Sequence, residues 1–254
     1  MNQHYTKKLC IKPFFTLNTV VIFFRVFMIL FILLSCLFYA VNPVKAEHDD
    51  TEETTSKSKV AYITIDDGPS EYTEQFLDLF DKYNVKVTFF MLDGYMRQYP
   101  NIVKEVIKKG HSIGLHGVTH DARHVYASLE NVINEMEKER ITLQTITGID
   151  TTLIRTPYGS KPFFEEGWKE AIQDIGYQIW DWNIDSEDWV TQDERMVENV
   201  INDVKKLELK NEQPVILFHD TKATSEHIEA VIVYLLDQGF DIRSIDDSIP
   251  PFTW

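Results

Sequence analysis

"VAYITI" at residues 60–65 runs without a break into "DDGPS" at 66–70. An apolar, β-branched run of this length reads as a buried strand, and Gly68-Pro69 reads as the turn that ends it. Between the two stand adjacent carboxylates, Asp66 and Asp67. Aspartate is an ordinary turn residue, which gives the pair a bland reading. The sharper reading is a strand end that presents both acids to one site. Other strand ends must decide between them.

Six more runs of the same kind follow: "VKVTFFML" (85–92), "SIGLH" (112–116), "TTLIR" (151–155), "YQIWDW" (177–182), "PVILFH" (214–219) and "FDIRSI" (240–245). The intervals carry helical periodicity. Leu129, Val132, Ile133 and Met136 share one face, as do Val197, Val200, Ile201 and Val204, and Ile228, Val231, Ile232 and Leu235. Gly110, Gly148, Gly176 and Gly239 stand just past helical runs, where a left-handed residue closes a helix. Strand–helix alternation over ~200 residues predicts a parallel sheet with helices outside it. Seven repeats are one short of the eightfold barrel. The expected fold class is therefore α/β, an incomplete (β/α) barrel with about seven parallel strands, and a doubly wound open sheet is the alternative.

Residues 1–46 hold Lys7, Lys8, Lys12, Arg25 and Lys45 but no acid, and "VFMILFILLSCLFYAV" (26–41) is uncharged. Basic region, apolar core and a Val44-x-Ala46 stop read as a secretory signal peptide cleaved before Glu47, with an uncleaved signal anchor as the alternative. Either way the expected location is outside the cytoplasm: secreted and cell-wall associated, or anchored to the outer face of the membrane. Residues 47–58, "EHDDTEETTSKS", read as a flexible polar linker. Residues 59–254 remain as one catalytic-sized domain. Five of the 25 basic residues and none of the 40 acidic ones lie in the leader, so the remainder stands at −20. That field repels polyanions, so no nucleic-acid partner is expected, and a membrane contact only through a retained leader. Cys10 and Cys36 both lie in the leader, which leaves the rest without disulfide or thiol chemistry.

In barrels of this kind the chemistry sits at the C-terminal ends of the strands. Those ends supply Asp66-Asp67, His116, Arg155, Asp181 with Asp185 and Asp188, and His219-Asp220. "HGVTH" sets His116 and His120 four apart just after a strand, where two imidazoles can converge on a cation. A tetrahedral site needs a third protein ligand: Asp67 is one choice and His124 the rival. "RTPYGS" (155–160) adds a strand-end arginine and a turn, and "DWNIDSEDW" (181–189) mixes acids with tryptophans, as sugar-binding walls do.

Taken in order, "TIDDGP", "HGVTH", "RTPYG", "DWNIDSEDW" and "LFH" resemble the five motifs of the polysaccharide deacetylases, the family-4 carbohydrate esterases, across roughly residues 59–245. The resemblance implies a distorted seven-stranded β/α barrel that removes acetyl groups from N-acetylated polysaccharide with a divalent metal, usually Zn, with Co, Ni or Mn as alternatives. It implies Asp67, His116 and His120 as metal ligands, Asp66 as general base, and Arg155 as its orienting partner. It further implies the Tyr158 N–H in the oxyanion hole, His219 as general acid held by Asp188, and Leu217 and Trp189 around the acetyl methyl. Neighbouring residues on a strand end point apart, so Asp66 and Asp67 are expected to take separate roles. Two positions depart from the family pattern: Gly117 stands where a Ser or Thr is usual, and Asp121 where a Pro is usual. Other functions compatible with these motifs are an O-acetyl esterase on xylan or another glycan, and a sugar-binding pseudoenzyme. N-acetylglucosamine of peptidoglycan is the expected substrate.

Overall fold

The computed structural model describes residues 28–29 and 59–254. Apart from residues 28–29, the leader and the linker lie outside the described residues. Strands β1 (Lys59–Gly68), β2 (Thr88–Met91), β3 (Ser112–Leu115), β4 (Leu153–Ile154), β5 (Gln178–Ile179), β6 (Ile184–Asp185), β7 (Val215–His219) and β8 (Phe240–Ile242) form one sheet. Its order is β5-β4-β3-β2-β1-β7-β6, with β8 paired to the start of β1, and every pairing is parallel. β5 and β6 head the two ends of that order, so the curl is an incomplete barrel, as expected. The short β6 lies inside "DWNIDSEDW", outside the seven runs read as strands. Helices α1 (Thr73–Lys82), α2 (Asp93–Gln98), α3 (Pro100–Lys108), α4 (Ala122–Val125), α5 (Leu129–Thr147), α6 (Trp168–Asp174), α7 (Asp188–Thr191), α8 (Arg195–Lys210) and α9 (Lys222–Asp237) join the strands. None of them is long and apolar enough to cross a membrane.

β1 shows how the barrel is filled. Alternate residues of a strand face opposite sides, and a parallel strand covered on both reads as a continuous apolar run. Ala61, Ile63 and Ile65 join the core under the helices, with Phe76 and Phe80 of α1, Val132 and Met136 of α5, and Val231 and Leu235 of α9. Val60 and Tyr62 belong to a second core with Phe90, Leu153, Trp180, Val215 and Ile245, which fills the barrel interior. Further along the same inward face come Thr64 and Asp66, both buried. The interior thus turns from apolar to polar toward the C-terminal ends of the strands. α9 buries all four residues of the face read from sequence, whereas α5 buries Val132 and Met136 and α8 buries Val200 and Val204 of theirs, with Met196 and Leu207 completing the buried face of α8.

Candidate metal centre and active site

The turn after β1 satisfies both readings of "DDGPS". Asp220 accepts hydrogen bonds from Ser70 Oγ and Thr73 Oγ1, each at 2.6 Å, and its own N–H donates to Asp66 O at 2.9 Å. A Cβ on Gly68 would come within 2.5 Å of Asp220 Oδ2, so only glycine fits there. The acids themselves do not simply point apart. Asp66 pairs with Phe90 and Gly68 with Met91, which leaves Asp67 as the extra residue of a bulge at φ 66°. A bulge breaks the in–out alternation and re-aims its side chain. Both carboxylates consequently approach His116 Nε2, Asp67 Oδ1 at 3.4 Å and Asp66 Oδ2 at 3.8 Å.

His120 Nε2 lies 3.3 Å from the same Asp67 oxygen. Asp67, His116 and His120 each offer a donor atom, all within 4.8 Å of one another. His116 Nδ1 is 2.7 Å from Arg155 O, an acceptor only, so that nitrogen carries the proton and Nε2 turns a lone pair inward. Asp67 Oδ1 is buried and has no hydrogen-bond partner. Such an orphan acceptor costs on the order of 1–3 kcal/mol, and a cation held by two imidazoles would satisfy it. Burial opposes ionisation of Asp67, but the neighbouring His116, His120 and His219 outweigh it and hold its carboxyl well below the usual range. Burial, then the neighbouring His116, lowers the pKa of His120 and keeps it in the neutral form a metal requires. The donor set therefore fits a divalent ion. His124 is not part of it: its side chain is half exposed and its Nε2 lies 3.4 Å from Glu135 Oε1.

On one flank, Arg155 is fully buried and all of its contacts are fixed. Nε donates to Trp180 O at 2.8 Å, Nη2 to Asp181 O at 3.1 Å, and Nη1 to Thr64 Oγ1 at 2.6 Å and Asp66 Oδ1 at 2.9 Å. Its guanidinium also stands over the rings of Phe90 and Trp182. Asp66 thus has one oxygen pinned and the other turned toward the histidines. On the other flank, the β1–β7 register sets His219 beside Asp66. Asp188, the first residue of α7, accepts from His219 N–H and pairs with its Nδ1, both at 2.7 Å, and accepts from Thr224 Oγ1 at 2.6 Å. The backbone bond aligns strand and carboxylate, and the ring bond leaves Nε2 as the working nitrogen.

The "RTPYGS" loop presents Tyr158 at φ 64°. Such a conformation costs a residue with a side chain of order 1–3 kcal/mol and persists only where the surroundings enforce it. Tyr126 Oη donates to Pro157 O and Gly159 O at 2.5 and 2.8 Å. Asp181 accepts from Ser160 N–H at 2.8 Å and Ser160 Oγ at 2.6 Å, and the Trp254 ring packs against Gly159, itself at φ 82°. Among the described residues Tyr158 N–H donates to no protein acceptor, while the Tyr158 ring lies against His120. Asp181, at the rim in the sequence reading, is thereby a brace for this loop. Leu217 is buried on β7 opposite Thr64, and Trp189 stands exposed next to Asp188.

Five contributors had no role assigned from the motifs: Thr64, Tyr126, Thr224 and the carboxylates of α5, Glu135 and Glu139, which receive N–H groups of the His116–His120 loop. The glutamates left one trace. They are acids spaced i, i+4 beside the apolar stripe of Val132, Met136 and Leu143.

The sequence profile of the polysaccharide deacetylase family matches residues 53–180. YheN of Bacillus subtilis is 40% identical over 195 residues, covering 76% of this chain and 69% of that one. A peptidoglycan-N-acetylglucosamine deacetylase of Bacillus cereus is 33% identical over 194 residues, covering 73% of this chain and 69% of its own length. The crystal structure of the Bacillus cereus polysaccharide deacetylase Bc1974 superposes with a TM-score of 0.69 at 31% identity, over 75% of this chain and 93% of that one. Motif order, an open parallel barrel and a rim that gathers Asp67, His116 and His120 agree with these likenesses, and the chain belongs to the polysaccharide deacetylase family.

Proposed function

We propose that the chain hydrolyses the N-acetyl groups of N-acetylglucosamine residues in cell-wall peptidoglycan, outside the cytoplasm, with zinc as its cation. The observation that carries this reading is the three-donor set flanked by an arginine-held carboxylate on one side and a carboxylate-held histidine on the other. Asp67, His116 and His120 would hold a divalent ion, which would supply Lewis acidity toward the acetyl carbonyl and a lowered pKa for water. Asp66, fixed by Arg155, accepts the proton of the attacking water. Tyr158 N–H donates to the oxyanion, a contribution of about 3 kcal/mol for a preorganised donor. His219 Nε2 returns a proton to the departing amine, without which an amide has no adequate leaving group. Leu217 and Trp189 bound the space for the methyl group. The leader and the sugar named by the Bacillus cereus relative support the location and the substrate.

Acetate release decides the function. Zinc-loaded protein is expected to deacetylate peptidoglycan and N-acetylated chitooligomers, to lose activity with a chelator and to recover it with zinc. Release from acetylated xylan alone would replace the amidase with an ester hydrolase, and full activity in metal-free protein would remove the metal.

The roles also fix a pH dependence. Burial lowers the pKa of His219, but the Asp188 hydrogen bond and charge, with Asp66 and Asp67 behind them, outweigh burial and raise it to about 9. A general acid works while protonated, so kcat/KM is expected to fall as pH rises through this pKa. Asp188→Asn removes the charge that stabilises the imidazolium and is expected to move that basic limb to lower pH. Superimposable pH–rate profiles for the two proteins would exclude His219 as the acid.

A further inference from the structure

We propose that Glu135 and Glu139 are positioning residues that set the metal affinity of the His116–His120 loop. This rests on the metal-centre reading above. Three consecutive N–H groups of the loop turn to one side and enter two carboxylates of α5. Glu139 Oε2 accepts from Gly117, and Glu135 Oε2 accepts from Val118 at 2.7 Å and Thr119 at 2.8 Å. The i, i+4 spacing puts both acids on one face of the helix, one turn apart.

Their burial needs a reason. Glu135 is 2% exposed and Glu139 is fully buried. Among the described residues neither pairs with a lysine or arginine, and the contact of Glu135 with His124 is made to an exposed ring. Buried carboxylates are costly unless they receive hydrogen bonds. Here the donors are the backbone of the segment that carries two metal ligands, and that segment is held at unusual dihedrals, φ 101° at Gly117 and 50° at His120.

The same carboxylates account for one departure from the family pattern, Gly117. A Cβ on Gly117 would lie 3.3 Å from Glu135 Oε2, at a φ that side-chain-bearing residues rarely adopt. Glycine lets the carboxylate close on the N–H row where a Ser or Thr would stand against it. Asp121 replaces the rigidity of a proline by capping α4, its Oδ1 accepting from Arg123 N–H at 3.0 Å. The far side of the loop is tied by Asp93 N–H to Gly117 O at 3.1 Å. A loop fixed from both sides holds the two Nε2 atoms at the spacing Asp67 requires before the ion arrives.

The test is zinc affinity, read by competition with a chromogenic chelator and no substrate. Glu135→Ala is expected to weaken zinc binding about 10–100-fold, the usual effect of removing a group that orients ligands. Glu135→Gln, which keeps an acceptor, should restore most of it, and Glu130→Ala, exposed on the same helix, should change nothing. Gly117→Ser leaves both carboxylates in place and is expected to weaken zinc by roughly tenfold through the displaced loop, which keeps the test open if Glu135→Ala does not fold. Wild-type zinc affinity in Glu135→Ala or Gly117→Ser, or a Gln variant as weak as the Ala variant, would overturn the proposal. A chain that binds zinc in this pattern but releases no acetate overturns the proposed function alone. A wild-type chain that binds no zinc overturns the metal centre and this inference together.

Discussion

Asp66→Asn is expected to reduce turnover by ~10²–10⁴-fold, the usual contribution of a general base, with zinc affinity near that of the wild type. The separation follows from the geometry. Asp66 is buried, and its Oδ1 is held by Arg155 at 2.9 Å, while Oδ2 stays 3.8 Å from His116 Nε2. That is too long for a hydrogen bond but leaves an oxygen facing the space where the ligands converge. Asparagine keeps the shape and an acceptor for Arg155, and Arg155 keeps Thr64, Trp180 O and Asp181 O. What the variant loses is the basic oxygen. Acetate-release kinetics beside zinc occupancy measure both quantities, and a thermal melt confirms that the fold persists. Turnover within a few-fold of wild type at full zinc occupancy would take the base role away from Asp66.

His116→Ala is expected to abolish zinc binding and activity together, whereas His124→Ala should leave both intact. His116 contributes the most constrained of the three donors. It is buried, its N–H is bonded to Met91 O at 2.9 Å and its Nδ1 is fixed on Arg155 O at 2.7 Å. Without it, Asp67 and His120 remain, and two protein donors are one fewer than catalytic zinc sites use. The deletion also leaves Arg155 O without its partner at the base of the site, so the Tyr158 loop loses a support from behind. His124 brings no donor to the site: its half-exposed ring meets Glu135 Oε1, whereas the loop N–H groups are held by the other oxygen, Oε2. Equilibrium dialysis with zinc reads the first effect directly. Retained zinc in His116→Ala, or lost zinc in His124→Ala, would mean that the third ligand had been assigned to the wrong residue.

Much of this site could be read from the chain because its ligands sit at strand ends, and strand ends are marked locally. An apolar run that stops at Ile65, Leu115, Ile154 or Phe218 announces where the rim begins, and the first polar residues past it face the site. The parts that could not be read are contacts between distant segments. Thr64 looks like any β-branched strand residue until Arg155 reaches it across the barrel. Asp181 looks like a rim acid until Ser160 and Trp254 are seen to donate to it. The strand β6 is two residues long and flanked by acids and tryptophans, and only its pairing with Ile216 and Leu217 reveals it.

The sequence by itself determined the alternation of strands and helices, the order of the motifs and the residue types at the rim, because periodicity and turn chemistry are properties of neighbouring residues. The tertiary structure decided how the two opening acids divide their work. Local alternation sends Asp66 and Asp67 to opposite faces, but the register of β1 against β2 makes Asp67 a bulged residue and swings it back toward the histidines. It likewise decided that the loop between His116 and His120 is held by α5 and not by its own side chains, since Glu135 and Glu139 reach it only once the helix has packed against the barrel. Both outcomes depend on which backbone hydrogen bonds form across long stretches of chain, and no window of neighbouring residues contains that information.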